Sequence, residues 1–202
     1  VRSRRQRQMC IRDRGKNANV TYAEKHYGEG EGTGEKILNP VTQIYLEEGA
    51  VFTLDTAQIG GVDSTVRKTE VYMEADSKLY VMEKLMTHDS QTAVSDMTVE
   101  MNGAGSSAQI VSRSVAKGNS VQTFHPIAIG NALCHAHVQC DSIIMDKAQI
   151  SSIPEINARD IDAQIIHEAA IGRINNEQIL KLRTFGMTEE EAEAVIIEDF
   201  LA

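Results

Sequence analysis

The chain has 202 residues, 42% hydrophobic and 24% charged, enough for one packed domain with a small appendage. Aromatic residues make up only 4%, with no Trp, so Val, Ile, Leu, Met and Ala must build the core. No apolar run approaches the roughly 20 residues of a membrane-spanning helix, which argues against a membrane permease.

The first fourteen residues, VRSRRQRQMCIRDR, differ from the rest: six Arg, one Asp and no apolar periodicity. Met9 to Arg14 is also what one reading frame of a common transposon-end sequencing adapter encodes. The segment is therefore expected to be read-through, disordered and outside the fold, rather than a basic arm or a targeting peptide. Setting its six Arg and one Asp aside leaves 14 Lys+Arg against 28 Asp+Glu, a net charge of −14. Such a body repels phosphate backbones, so no nucleic-acid partner is expected. Of the three cysteines, Cys134 and Cys140 then remain. With no recognisable secretory leader, the expectation is a cytoplasmic protein whose thiols stay free for metal or sulfur chemistry.

Residues 16–170 read mostly as strand. The glycine-rich stretch Gly28 to Lys36 fails as a phosphate loop, because Gly34 is followed by Glu35, Lys36 and Ile37. A flexible acidic loop between strands is expected there. Segments 51–59, 65–74, 78–86 and 107–116 are rich in β-branched residues and partly alternate. Polar or glycine-bearing turns centre near Gly49, Gly61, Asp76, Asp89, Gly103, Gly118, Asn131, Asp146 and Ala158, at intervals of 12 to 15 residues. Turns this regular, without strict sequence repetition, suggest stacked β units: a solenoid, a barrel or a sandwich. Runs such as Ser142-Ile143-Ile144-Met145 break the clean alternation that a barrel needs, which favours the solenoid.

The tail changes character near Ala169. Asn175 is a helix N-cap with Gln178 three residues on, and an apolar stripe at Ile179, Leu182 and Phe185 ends at Gly186. Thr188 and Glu191 form a second capping box, with Ala192, Val195, Ile196 and Phe200 on one face of the helix that follows. Two such short helices are not stable alone and must pack on the β body or on a partner.

The segment Cys134-His-Ala-His-Val-Gln-Cys140 is the one place where metal-binding residues crowd. On a strand the two cysteines share a face but lie about 20 Å apart, so one ion cannot bridge them. His135 and His137 share the other face and need ligands from elsewhere. Without such ligands the segment is two buried thiols and two surface histidines. His167 and Glu168 are adjacent, so on a strand they point to opposite faces. Cys140 and His167 are separated by about twice the turn spacing, which permits stacking on consecutive coils, about 4.8 Å apart.

HVQCDSIIMDKAQISSIPEI (137–156) and DAQIIHEAAIGRINNEQILKLRTFGMTEEEAEAVIIEDFL (162–201) strongly resemble the C-terminal half of SufB/SufD proteins. Residues 22–50 and 61–70 resemble the short, single-type members of that family, so the likeness spans 15–202. The resemblance implies a right-handed parallel β-helix core over 15–168, with its N-terminal part missing, and a helical domain over 169–202. It implies a non-catalytic scaffold for transient iron–sulfur clusters, served by a sulfur donor protein and a SufC-type ABC ATPase docked on the helical domain. Ile179, Leu182, Phe185, Val195, Ile196 and Phe200 are the expected docking residues. By the same resemblance Cys140 accepts sulfur, and Cys140, His167 and Glu168 hold the nascent cluster at the interface of a homodimer or a SufB/SufD-like heterodimer. SufD lacks the cysteine, so Cys140 makes the chain SufB-like. The rival readings are a structural SufD-like partner without cluster ligands and a β-helix carbohydrate-active enzyme. The latter would need several acids gathered on one face, and here they are spread around turns.

Overall fold

The computed structural model describes residues 4–6, 9–27 and 34–202, with side chains from Gly15 onward. In chain order the strands are β1 (Arg4–Gln6), β2 (Met9–Arg14), β3 (Asn19–Tyr27), β4 (Lys36–Leu38), β5 (Val41–Leu46), β6 (Val51–Gly60), β7 (Ser64–Met73) and β8 (Lys78–Thr87). They continue as β9 (Thr92–Met101), β10 (Ser106–Ala116), β11 (Val121–Gly130), β12 (Cys134–Ile144), β13 (Gln149–Ser152), β14 (Glu155–Ala158) and β15 (Gln164–Gly172). Helices α1 (Asn176–Thr184) and α2 (Glu189–Leu201) follow.

All strand pairs are parallel, and from β5 to β13 successive strands alternate between two sheets. One sheet runs β3-β6-β8-β10-β12-β15 and the other is built on β4, β7, β9, β11 and β13. The result is a β-solenoid of about five turns, the one of the three stacked-β alternatives that the broken alternation favoured. Each 12–15-residue interval is half a coil. Residues stacked on neighbouring coils are therefore 27 to 29 positions apart, as in Lys36/Asp63, Gly118/Asp146 and Ser112/Glu83.

The corners explain the regularity. Gly49, Asp76 and Gly105 stack at one corner, and Gly61, Asp89, Gly118 and Asp146 at the other, all with positive φ. Asp tolerates this conformation because its short polar side chain bonds locally; Gly has no Cβ to clash. The stacked corners are tied by backbone bonds, Asp76 N–H to Ala104 O and Gly105 N–H to Leu133 O at 2.9 Å each. At Gly103 any Cβ would fall onto the backbone of Ala75, so that turn admits only glycine.

One expectation meets a different outcome. Residues 1–14 were expected to be disordered, yet β1 pairs with β4, and β2 runs parallel to β5 from Met9/Val41 to Arg14/Leu46. A parallel ladder uses backbone groups alone, so it forms without the apolar alternation that the segment lacks. Residues 28–33 of the expected acidic loop lie outside the described residues.

The interior is divided lengthwise. Toward the Gly49–Gly105 corner it is apolar, with Phe52, Leu54, Leu79, Val81, Ile110, Val71, Met73 and Val99 buried. Toward the opposite corner it is polar, with Glu24, His26, Arg67, Glu83, Ser95 and Ser112 nine-tenths or more buried. His26 Nε2 lies 2.5 Å from Glu24 Oε1, and the Arg67 guanidinium donates to His26 Nδ1 at 2.9 Å. Arg67 also stands 3.8 Å from Glu83, whose carboxylate accepts from Ser95 at 2.8 Å. A buried charge survives only when paired and hydrogen-bonded. Removing the central cation tests the column: Arg67→Met should cost about 3–5 kcal/mol, read from the urea midpoint. Arg67→Met with Glu83→Met should cost less, because no charge is then stranded at Glu83. Equal midpoints for wild type and Arg67→Met would show that the column contributes nothing.

Candidate functional site at the last coils

Cys140 lies on β12, facing inward, 3% exposed. His167 lies on β15, the last strand of its sheet, in register with Val138 and so diagonal to Cys140 across one coil. Both point into the solenoid, and Cys140 Sγ meets His167 Nε2 at 3.3 Å. The stacking that the sequence spacing permitted is thus realised. Beneath the thiol is an internal void of about 10 Å³, the room of one water, lined by Glu83, Ser112, Gln122, Cys140 and Ser152 among others. The thiol is therefore flanked on one side by an imidazole near the open end of the solenoid. On the other it meets the polar column, which sequence reasoning missed. The signal was in the strand pattern: Glu83 alternates in phase with buried Leu79 and Val81.

Burial sets the protonation states. The Cys140 thiol is pushed up to about 11, chiefly by burial, with the Glu83 and Asp141 carboxylates adding to the effect and the Ser152 hydroxyl opposing it. Burial also lowers the His167 imidazole below its ordinary range. Near pH 7 the pair is a neutral thiol beside a neutral imidazole, with the S–H free to donate to Nε2. Thiolate and imidazole are both ligands that iron accepts, so the pair fits a cluster carried as cargo. It supplies two donors. Among the described residues no three His, Cys, Asp or Glu side chains gather closely enough to hold a metal ion.

The other residues fall elsewhere. Glu168, expected beside Cys140, is on the outer face, because successive residues of β15 alternate. Its Oε2 lies 3.4 Å from His137 Nε2. His135 is outward and exposed, and Cys134 is buried and free at the opposite end of β12. In the helical hairpin Asn175 caps α1 by accepting from Glu177 N–H, and Thr188 and Glu191 form the expected capping box. The packed face of α2 is Ala192, Ile197 and Leu201 rather than one through Val195 and Ile196. Ile197 and Leu201 meet Val115 and Met145 on the solenoid, and Phe200 packs with them, so Phe200 serves this chain's own core. Of the other expected docking residues, Phe185 is 74% and Val195 42% exposed, while Ile179, Leu182 and Ile196 are half-buried. Leu180, at 57% exposure, joins the open apolar surface unforeseen.

Comparison with known proteins decides the family. The family model described as "SUF system FeS cluster assembly, SufBD core domain" matches residues 6–132 and 58–200. The chain belongs to the SufBD family, whose role is in iron–sulfur cluster assembly. The two matches overlap, as interchangeable coils allow. An iron-sulfur cluster assembly SufBD family protein of Methanocaldococcus jannaschii is 29% identical over 195 residues, covering 93% of this chain and 59% of that protein. One from Pyrococcus horikoshii is also 29% identical, over 93% of this chain and 57% of its own length. One from Mycobacterium tuberculosis is 25% identical over 89% of this chain and 22% of its own. The chain thus spans little more than half the length of the archaeal relatives. No helix among the described residues is long and apolar enough to cross a membrane.

Alkylation kinetics report the protonation state of Cys140 directly. The rate of Cys140 alkylation by iodoacetamide should keep rising above about pH 9, where an ordinary thiol with a pKa of about 8.5 would level off. Cys10→Ser together with Cys134→Ser isolates the signal. A plateau near pH 8.5 would show that Cys140 is not held as a thiol by burial.

Proposed function

We propose that this protein is a scaffold subunit of a SUF-type assembly machine, with Cys140 as the sulfur acceptor and Cys140 and His167 as ligands of the nascent cluster. The observation that supports this best is the buried Cys140–His167 pair at the last coil, the one inward-facing thiol–imidazole contact among the described residues. In sulfur transfer, the Cys140 S–H gives its proton to His167 Nε2. The thiolate attacks the terminal sulfur of a persulfide on the donor protein, the donor's S–S bond breaks, and the donor leaves as a thiolate. Cys140 then carries the persulfide. Two donors per chain do not complete a cluster's coordination, so a second subunit, either another copy or a SufD-like chain, supplies the rest.

A thiol 3% exposed cannot meet a donor without movement. In this reading the movement comes from a SufC-type ABC ATPase docked on Leu180, Phe185 and Val195, with ATP hydrolysis on the partner and none on this chain. The hairpin is tied to the solenoid by Lys84 Nζ to Ala202 O, by Arg113 to Phe200 O and by the Lys117–Glu193 pair.

The decisive test is anaerobic co-expression with the cognate ATPase, followed by iron, sulfide and visible absorbance of the complex. Wild type should carry a cluster, and Cys140→Ser should lose it while still binding the ATPase. Equal iron and sulfide in both would return Cys140 to the role of a core thiol and favour the structural SufD-like alternative. Docking is tested separately: Phe185→Ala should weaken ATPase binding about tenfold or more in titration calorimetry. An unchanged affinity would move the docking surface elsewhere.

A further inference from the structure

The sheet that does not carry Cys140 has a feature on its outer face that cluster assembly leaves unused. Tyr45 of β5 and Tyr72 of β7 are partners in the parallel ladder, and their rings stack with centroids 5.0 Å apart and planes 11° from parallel. Tyr45 is 40% exposed and Tyr72 half-buried, so the pair forms an aromatic platform open to solvent. Because the rings stack from coil to coil, each has one face against the other ring and one turned toward the coil beyond. For Tyr72 the coil beyond is that of β9, where Glu100 is in register with it.

The surroundings of the platform are negative. Glu70, two positions before Tyr72, accepts from Gln43 Nε2 at 2.7 Å and pairs with Lys68 at 2.7 Å. Glu100 makes no hydrogen bond or ion pair among the described residues. Burial pushes the Tyr72 phenol above its ordinary range, and the Glu70 and Glu100 carboxylates add to the rise, so both charges are felt at the ring. Glu47 and Glu74, each two positions beyond one of the tyrosines, are exposed at the corner. An aromatic ring face is itself negative, so a ring and a carboxylate side by side attract a cation.

The spacing of the coils selects which cation. Neighbouring strands are about 4.8 Å apart, close to the ring spacing, so a flat group laid on Tyr72 lies level with the Glu100 side chain. A guanidinium is planar, stacks on aromatic rings and donates two parallel N–H bonds in its own plane to a carboxylate. An ammonium is a compact, strongly hydrated point charge and cannot stack. We propose that this face docks an arginine of a partner protein, its guanidinium laid on the outer face of Tyr72 and bonded in plane to the Glu100 carboxylate. Glu47 and Glu74 extend the attraction to other basic residues around that arginine, and a chain of net charge −9 steers a basic surface toward the site. The site lies on β5, β7 and β9, in the sheet opposite Cys140 and His167, so it goes beyond the scaffold reading and does not depend on it.

The test titrates the full chain with a capped tetra-arginine peptide and with a tetra-lysine peptide of equal charge. The chain has five Tyr and no Trp, so tyrosine emission reports contact with the platform. Tetra-arginine should change that emission and bind about three- to fivefold more tightly than tetra-lysine. Tyr72→Leu should remove the preference and Tyr72→Phe should keep it. Glu100→Gln should weaken tetra-arginine binding about fivefold. Two controls should bind as wild type does. Tyr80→Leu removes a tyrosine of similar exposure, 42%, from the other sheet, and Asp55→Asn removes a half-buried outer carboxylate there. Circular dichroism checks the strand content of each variant, and Glu100→Gln with Tyr72→Phe carries the test if Tyr72→Leu does not fold. Equal affinity for the two peptides, an unchanged preference in folded Tyr72→Leu, or Asp55→Asn weakening binding as much as Glu100→Gln would each overturn the proposal.

Discussion

The parallel backbone ladder, repeated every 27 to 29 residues, is the constraint on which the other features depend. It converts distance along the chain into stacking between coils, so Cys140 and His167, 27 positions apart, end in contact. The same ladder fixes which side of the sheet each residue faces. A shift of one residue would turn Cys140 outward and His137 inward. The positive-φ corners, where Asp or Gly stand in register, hold that phase. The site's geometry is thus set less by the residues around the thiol than by turns half a coil away.

The divided interior has a cost that the apolar half must offset. Glu24, Arg67 and Glu83 are charges brought into a space where side-chain packing would otherwise suffice, and a hydrophobic replacement of such a group is often neutral or stabilising. Stability alone therefore does not explain the column. It runs toward Cys140, ends in a void the size of one water, and contributes to the high thiol pKa through Glu83. Because Cys140 is an acid whose folded pKa is raised, its burial favours the fold below about pH 8.5. That contribution fades as pH rises toward about 11.

Much of this was legible in the sequence, and the physical reasons mark where legibility ended. Turn spacing revealed stacked β units, because corners demand Gly, Asn or Asp at fixed phase, and the broken alternation at Ser142 to Met145 favoured the solenoid among them. The separation of Cys140 and His167, twice that spacing, permitted their stacking without requiring it. Alternation showed that His167 and Glu168 face opposite sides. The cluster role came from family resemblance, and no periodicity carries it. The polar column stayed hidden because Glu24, Arg67 and Glu83 meet across two sheets, a pairing that turn spacing does not fix. The packed face of α2 was misassigned to Val195 and Ile196, since a helix so rich in apolar residues has more than one candidate stripe. The surface of the solenoid chose Ile197 and Leu201. The strands at residues 4–6 and 9–14 were missed because backbone pairing leaves no mark in side-chain pattern.

The placement of the hairpin couples it to the surroundings of the thiol. Its tethers land on Lys84 of β8 and Arg113 of β10, both facing outward. The residues just before them, Glu83 and Ser112, face inward and line the void beneath Cys140. A strand is one pleat thick, so whatever displaces Lys84 or Arg113 displaces the neighbours that surround the thiol. Any force applied to the helices would thus be delivered to the inner walls of the site without passing through the apolar half of the core. The end of the solenoid yields most easily, because β15 is held by one neighbour where β10 and β12 are held by two. Movement is therefore cheapest at His167, the residue that separates Cys140 from the open end.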